Sequence, residues 1–485
     1  MVENDKKELL LFQLGPVQEF IAQAETIEDL RVGSEILSEL TAEALKVIPE
    51  YWNPDVGVFP AVEKDRLTGI PNRFLVCVPC GEGETLAKKA VGAARDFLKN
   101  TLAQTVREKL PQSRREAFNR QVESFLQTSW AVLKEPTNNM GKDYKIIGKL
   151  MAMRRNVRAF DSWCEEAAGQ VKDFLSGKEA ALDVADNRAP NRNSGRGAMN
   201  LIKKFRIEKP QKIKLGDYIA VIALDGDHMG EKLSGFSKKE EHRDFSKKLA
   251  DYAVRVKVSE EDGVLIYAGG DDVLAVVKAT RAFEIAEKLA DQFVEALNEP
   301  GERKVTASVG VAIGSAKAPL QDIIQEARVA EGRAKHVYGR DALAVSIMKR
   351  SGEILHWGCK WKTAVLERSP ALEIFDKLTA NSDTIADFAH KLAGFLAPYE
   401  LGRRDKDGNL ITNWNDMKPV VRAEVLHTIG RTEGMSKLLE KTVTEDGIES
   451  YSEIEGYLSE KTVTDHPEDF LGLFLCETFI NRPRD

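Results

Sequence analysis

Two short acidic stretches are the part of this chain whose residue types and spacing could do chemistry. Gly269-Gly270-Asp271-Asp272 lies between two apolar runs, Val264 to Ala268 and Val273 to Val277. Two strands joined by Gly-Gly read as a hairpin, and glycine lets a phosphate approach the backbone. Adjacent carboxylates at the tip repel each other unless a cation lies between them. Upstream, the apolar run from Ile219 to Leu224 ends in Asp225-Gly226-Asp227-His228-Met229-Gly230. Either stretch alone is compatible with a surface turn, since turns favour these residues. Together they place carboxylates at the ends of two strands, an arrangement able to hold two divalent cations for phosphoryl or nucleotidyl transfer.

The surrounding elements must bring those strand ends together. A strand over 217–224 is followed by a helix from about Ser237 to Val258, with Phe245, Leu249, Tyr252 and Val256 on one face. The hairpin follows, then a helix from about Arg281 to Leu297 and a strand from Val305 to Ile313. A helix after Pro319 runs to about Val337, and Ala342 to Met348 closes the unit as a strand. The order is βαββαβ with one extra strand, a ferredoxin-like antiparallel sheet in which the first strand is central and adjoins the hairpin. Asp225 is therefore expected beside Asp271 and Asp272.

The N-terminal part repeats the theme. Leu9 to Leu14, Val56 to Pro60 and Asn72 to Val78 read as strands, with a helix after the Gly15-Pro16-Val17-Gln18 turn and another over Glu84–Val106. This second sheet has no Asp-Asp in its hairpin and is expected to be catalytically degenerate. The α+β architecture predicted is thus two ferredoxin-like palm domains, at 1–106 and 217–351. A mostly helical linker occupies 107–216, and a helical C-terminal domain 352–485. Phe388, Leu392 and Phe395, and Phe470, Leu473, Phe474 and Phe479, are read as core stripes of the latter.

Composition sets the bounds. The 485 residues are 42% hydrophobic and 30% charged, enough for several domains with their own cores. No apolar stretch reaches the length of a membrane span and no signal-peptide pattern is present, which points to the cytoplasm and to no membrane partner. A net charge of −7 argues against a nucleic-acid-coating role. Locally, residues 187–216 hold nine Lys or Arg and one acid, Glu208; such a run is either a solvated linker or a contact for RNA phosphates or an acidic partner. Cys77, Cys80, Cys164, Cys359 and Cys476 are scattered, as suits a reducing compartment. Cys77-Val-Pro-Cys80 is half of a zinc spacing with no second pair, so no zinc is expected.

Taken together these residues resemble the large, palm-containing subunit of type III CRISPR effector complexes, most like its Cmr-type branch. The resemblance rests on Gly15-Pro16-Val17-Gln18-Glu19-Phe20-Ile21 with Gly33-Ser34, Pro71-Asn72-Arg73-Phe74, Asp225 to Gly230, Gly269 to Asp272, and Gly339-Arg340-Asp341 to Arg350-Ser351-Gly352. It covers most of the chain. It implies conversion of ATP to cyclic oligoadenylates when the complex, with its other subunits and guide RNA, holds a foreign target RNA.

The expected site follows. Catalysis falls to Asp225, Asp271 and Asp272, and Mg²⁺ or Mn²⁺ to these with Asp227, because such cations prefer carboxylate and phosphate oxygens. Gly226, Gly269 and Gly270 would let the nucleotide approach, and the amides of His228, Met229 and Gly230 would bind triphosphate oxygens. By resemblance Lys335 is a triphosphate contact. The first palm would hold the other ATP at Gly33-Ser34, a pair that could instead be a close-packing spot. The imidazole of His228 is read as a packing group, since cation activation makes a general base unnecessary.

Two other readings stay open: a free-standing dinucleotide cyclase of the GGDEF type, and a non-catalytic scaffold of the ribonucleoprotein. Many relatives carry an HD nuclease domain and a zinc site between the palms, and this sequence contains no His-Asp dipeptide. No DNA cleavage by this subunit's own residues is expected, and DNase turnover with Mn²⁺ or Ni²⁺ that depended on those residues would contradict it.

Overall fold

The structure is a computed structural model that describes residues 7–64, 67, 69–137, 139–157, 171–183, 195–207, 215–300, 304–362, 368–380, 386–432, 434–439, 441–443 and 449–481. Two mixed α+β units share one body. The first sheet has the order β2-β3-β1-β4, from β1 (Lys7–Gly15), β2 (Gly57–Phe59), β3 (Arg73–Pro79) and β4 (Gln127–Leu133). Helices α1 (Gln18–Ala22) and α2 (Ile27–Lys46) follow β1, and α3 (Gly83–Phe97) follows β3. The α2 N-terminus is closed by a capping box between Thr26 and Asp29.

β4 corrects the sequence reading, which took the chain beyond residue 106 as mostly helical. Leu9 to Gly15 pair with Leu133 back to Gln127, so the first palm's sheet is completed from inside the expected linker. The linker itself contributes α4 (Met140–Asn156) and α5 (Ala198–Arg206).

The second sheet has the order β10-β9-β8-β5-β7-β6. Its strands are β5 (Tyr218–Gly226), β6 (Gly263–Gly269), β7 (Asp272–Lys278), β8 (Ala307–Ser315), β9 (Ala342–Met348) and β10 (Ile354–Lys360). Between them lie α6 (Met229–Gly235), α7 (Lys239–Arg255), α8 (Ala282–Leu297) and α9 (Leu320–His336). β10, expected as part of the helical C-terminal region, pairs antiparallel with β9 and forms the sheet edge. Beyond it the chain is largely helical, including Pro370–Thr379, Trp414–Gly430 and Glu468–Asn481. Phe388, Leu392, Phe470, Leu473 and Phe474 are fully buried there, whereas Phe395 is exposed.

β5 explains how both palms meet. Its side chains alternate between two cores: Ala220, Ile222 and Leu224 pack with α7, α8 and the C-terminal helices. Ile219, Val221 and Ala223 pack with the first palm, including Ile36 and Leu40 of α2. A strand buried on both faces reads as a continuous apolar run, which is what Ile219 to Leu224 shows. Period-2 alternation then puts Asp225 on the same face as Val221 and Ala223, toward the first palm. Hydrogen bonds across the junction fix the two units, with Ser246 Oγ accepting from Ala61 N at 2.8 Å and Arg243 donating to Trp52 O at 2.8 Å.

α9 lies unusually close to the sheet because β8 has no side chain at Gly310. A Cβ there would sit 2.1 Å from Glu331 N and 2.2 Å from Ala327 O. Gly332, on the same helix, would meet nothing within 4 Å. Gly310→Ala should therefore destabilise the protein by about 1–3 kcal/mol through overpacking, whereas Gly332→Ala should be neutral or stabilise by up to about 1 kcal/mol through helix propensity. Thermal denaturation of the two variants checks this, and shifts of the same sign would contradict the close-approach argument.

Candidate active site

The register places the acidic residues directly. Asp225 is the pairing partner of Asp272 across β5 and β7, and Gly269 pairs with Asp272 across the hairpin. The two-residue loop is thus Gly270-Asp271 rather than Gly-Gly. Gly270 adopts φ 67°, the left-handed conformation that the first loop position of such tight hairpins demands. Gly226 N donates to Asp271 O at 2.9 Å, tying the β5 end to the hairpin tip. A Cβ at Gly226 would lie 2.7 Å from Phe293 Cζ and 3.0 Å from Asp271 Cβ, so this glycine serves the approach of Asp271.

Asp225 and Asp271 are the two carboxylates left without full compensation. Burial, then the charge of Asp271, raises Asp225 to about 6, even though Lys335 donates to its Oδ2 at 2.5 Å. Burial also raises Asp271, opposed chiefly by the charge of Arg73 from the first palm. Burial would lower Lys335, but hydrogen bonds to Asp225 and Glu331 outweigh it and raise this ammonium. Lys335 lies 2.6 Å from Glu331, which also sits 3.5 Å from Arg328.

The other two aspartates are committed elsewhere. Arg328 donates to both oxygens of Asp272, at 3.0 and 3.3 Å, and Tyr267 donates to Oδ2 at 2.8 Å. Asp227 is buried and accepts from Thr306 Oγ1 at 2.8 Å, Ser308 Oγ at 2.7 Å and Asp341 N at 2.9 Å. Those bonds hold the loop Gly339-Arg340-Asp341, whose φ values are 71°, 64° and 45°. No group of three or more His, Cys, Asp or Glu converges on one point as a ligand set among the described residues. Asp272 and Asp227 thus hold other partners in this structure, and the half-buried pair Asp225 and Asp271 keeps the donor chemistry that fits a divalent cation.

A cavity of about 1100 Å³ opens over that pair, between the palms. Asp225, Gly269, Gly270, Asp271 and Asp272 line it from the second palm, and Ser34, Glu35, Glu39, Asn72 and Arg73 from the first. Gly226, His228, Met229, Gly230 and Lys335 are not among its lining residues. His228 starts the short α6 at φ 55°, and its ring lies 3.2 Å from Glu231.

Gly33 does not line the cavity either, and the packing alternative explains it. A Cβ there would lie 2.9 Å from Lys203 Cε. Lys203 donates to Phe20 O at 2.5 Å and Gln23 O at 2.9 Å, and burial lowers it to about 7. Of the basic segment, Arg196, Lys203, Lys204 and Arg206 are described; Arg188, Arg192, Lys209, Lys212 and Lys214 lie outside the described residues. Arg206 makes a bidentate pair with Glu39, at 2.6 and 2.7 Å. Cys77 is buried and Cys80 exposed.

Arg73, Tyr267, Arg328 and Glu331 were not among the expected site residues. Arg73 stands in the Pro71-Asn72-Arg73-Phe74 motif with no role assigned to it, and the i, i+3, i+7 charge pattern Arg328-Glu331-Lys335 on α9 was a signal left unread.

Comparison with known proteins adds the family. Residues 218–344 match the model of the Cas10/Cmr2 second palm domain, and residues 9–112 that of the CRISPR-associated protein Cmr2 N-terminal region. The chain belongs to the Cas10/Cmr2 family. A curated relative, the CRISPR system Cmr subunit Cmr2 of Pyrococcus furiosus, is 33% identical over 167 residues, 28% of this chain and 19% of that protein. The match thus spans about a fifth of that relative's length.

The fold of this Cas10/Cmr2 chain is similar to a type III-B Cmr-beta structure in the apo state, with TM-score 0.61 and 10% identity over 88% of this chain and 77% of the other. A Cmr-beta structure bound to cognate target RNA gives TM-score 0.61 and 10% identity, over 99% and 83%. Among the described residues no helix is long and apolar enough to cross a membrane.

The raised carboxylates predict a pH dependence with a defined sign. Protons compete with a cation for Asp225, so stabilisation by Mn²⁺ should be large at pH 7.5 and fall away as pH drops through about 6. Asp271→Asn removes one repelling charge, so the same curve should move to lower pH and shrink in amplitude. Melting temperature with and without Mn²⁺ measures both. A Mn²⁺ shift that is flat from pH 5 to 8 would contradict the assignment.

Proposed function

We propose that this chain synthesises cyclic oligoadenylates from ATP inside a type III CRISPR effector complex, switched on when the complex holds target RNA. The observation that carries this reading is the inter-palm cavity, which sets Asp225 and Asp271 opposite Ser34 and Arg73. At about 1100 Å³ it exceeds the roughly 300–1,000 Å³ of a single small-ligand pocket. It has room for two nucleotides, one against each palm. Membership of a multi-subunit ribonucleoprotein is supported by the family and by the likeness in fold to Cmr-beta assemblies.

In the reaction, the 3′-oxygen of one nucleotide attacks the α-phosphorus of the other ATP. The bond to the bridging oxygen breaks and pyrophosphate leaves. Mg²⁺ or Mn²⁺ held by Asp225 and Asp271 would lower the cost of the attacking alkoxide and of the leaving charge. The protein's own part is positioning and neutralisation. Arg73 faces the hairpin from the first palm, and Ser34 offers a hydroxyl to the nucleotide seated there. Lys335, which does not line the cavity, holds Asp225 in place from behind. Arg328 and Tyr267 keep Asp272 and hence the hairpin in register with α9.

The test is a mass spectrum of small-molecule products from the complex purified with its native partners and incubated with ATP, Mg²⁺ and guide-complementary RNA. The wild type should give an RNA-dependent oligoadenylate that the Asp271→Ala/Asp272→Ala variant lacks. Ser34→Trp should cut synthesis at least tenfold while the complex still assembles; lost assembly would make Ser34 a packing residue. No product from a complex that binds its RNA would leave the scaffold reading. GTP consumption by the isolated chain would favour the free-standing cyclase.

A further inference from the structure

A second cavity, of about 420 Å³, adjoins the first. Gln18, Ile21 and Tyr267 line both, so the two abut at the Tyr267 ring. Its floor is apolar, from Ile21, Ala22, Leu274 and Ile324. One wall is the α9 stripe Gln321, Ile324, Gln325 and Arg328, spaced i, i+3, i+4 and i+7 so that all share a face. Four glutamines therefore ring an apolar slot: Gln18 and Gln23 from the first palm, Gln321 and Gln325 from the second.

The charge at this slot is already balanced. Arg328 is paired with Asp272 and Glu331, and Glu19 at the rim with Lys178. Nothing there offers the unpaired cation that a triphosphate needs. Two of the amides are in use, Gln321 donating to Leu175 O at 3.3 Å and Gln23 accepting from Asn200 at 3.3 Å. A glutamine amide offers one donor and one acceptor group side by side, which matches N7 and the N6 amine of adenine. The volume suits a nucleoside.

We infer that this cavity is a subsite for the base and ribose of a further adenylate residue, holding a chain that has grown beyond its first phosphodiester bond. The inference rests on oligoadenylate synthesis by the adjoining site. With two nucleotides in the main cavity, a third residue would need a place beside the reacting ends and free of triphosphate-binding charge.

The experiment follows product length in the assembled complex with ATP, Mg²⁺ and target RNA. Gln325→Trp, on the solvent side of α9, covers the slot, and Gln321→Leu removes an amide without adding bulk. Both should release pyrophosphate and form linear diadenylate at close to the wild-type rate. Products of three or more residues should fall at least tenfold with the first variant and severalfold with the second.

Ala316→Trp, in the groove beside Thr26 and Gly216 that shares no lining residue with either cavity, should leave product length unchanged. Unaltered product lengths in both glutamine variants would overturn the inference, as would shortening by Ala316→Trp instead. Loss of the first bond as well would overturn it, because the slot would then hold the acceptor. A wild-type complex that makes no oligoadenylate sinks the parent reading and this one together.

Discussion

Two half-buried carboxylates, where the end of a central strand meets a hairpin tip, set the terms for the rest of the chain. Asp225 and Asp271 repel each other and are only partly solvated, and a fold that keeps them there needs positive charge close by. α9 supplies it with Lys335 on Asp225 and Arg328 on Asp272, and Glu331 between them holds the two cations in place. The helix reaches that far only because Gly310 lets its backbone approach the sheet. The remaining counter-charge, Arg73, comes from the other palm. The site is thus a joint product of two sheets, and neither half neutralises it alone.

The same logic makes the degenerate palm necessary. β5 buries both faces, one against its own helices and one against the first palm, so the second palm has no solvent-exposed sheet face to spare. The first palm supplies a wall, a hydroxyl and a guanidinium to the cavity, with the carboxylates of Glu35 and Glu39 on the same wall. Its geometry is in turn supported by the linker, where the Lys203 ammonium caps the end of α1 at Phe20 O and Gln23 O and its stem fills the space that Gly33 of α2 leaves open.

What the sequence disclosed follows from which forces are local. The apolar run before Asp225 and the Gly-Gly-Asp-Asp hairpin carry strong short-range signals, and together they settled the strand order and the pairing of Asp225 with Asp272. β4 was missed because Gln127 to Leu133 is half-buried and lies between charged helices, so neither period dominates. β10 was missed for a similar reason: Ile354-Leu355-His356 is exposed or half-buried at a sheet edge. Carboxylate count also says nothing about competing partners, which reach Asp272 and Asp227 from far along the chain. Arg328 is 56 residues from Asp272, and Ser308 is 81 from Asp227. Gly33 and Lys203 meet across 170 residues, a contact that no local pattern encodes.

β10 also changes what the C-terminal region is. Ile354 to Lys360 zip along β9, which runs parallel to β8, the strand beside β5. The C-terminal helices are therefore clipped to the edge of the same sheet whose centre bears Asp225. Helix Glu468–Asn481 packs on that edge, with a Cβ at Gly472 reaching within 2.7 Å of His356 O. A load applied to the C-terminal helices has a backbone-hydrogen-bonded route of three strands to the carboxylates. Severing the chain after Gly352 would bare β9 as an unpaired edge, and unpaired edges recruit other strands. The tail works as the sheet's selvedge.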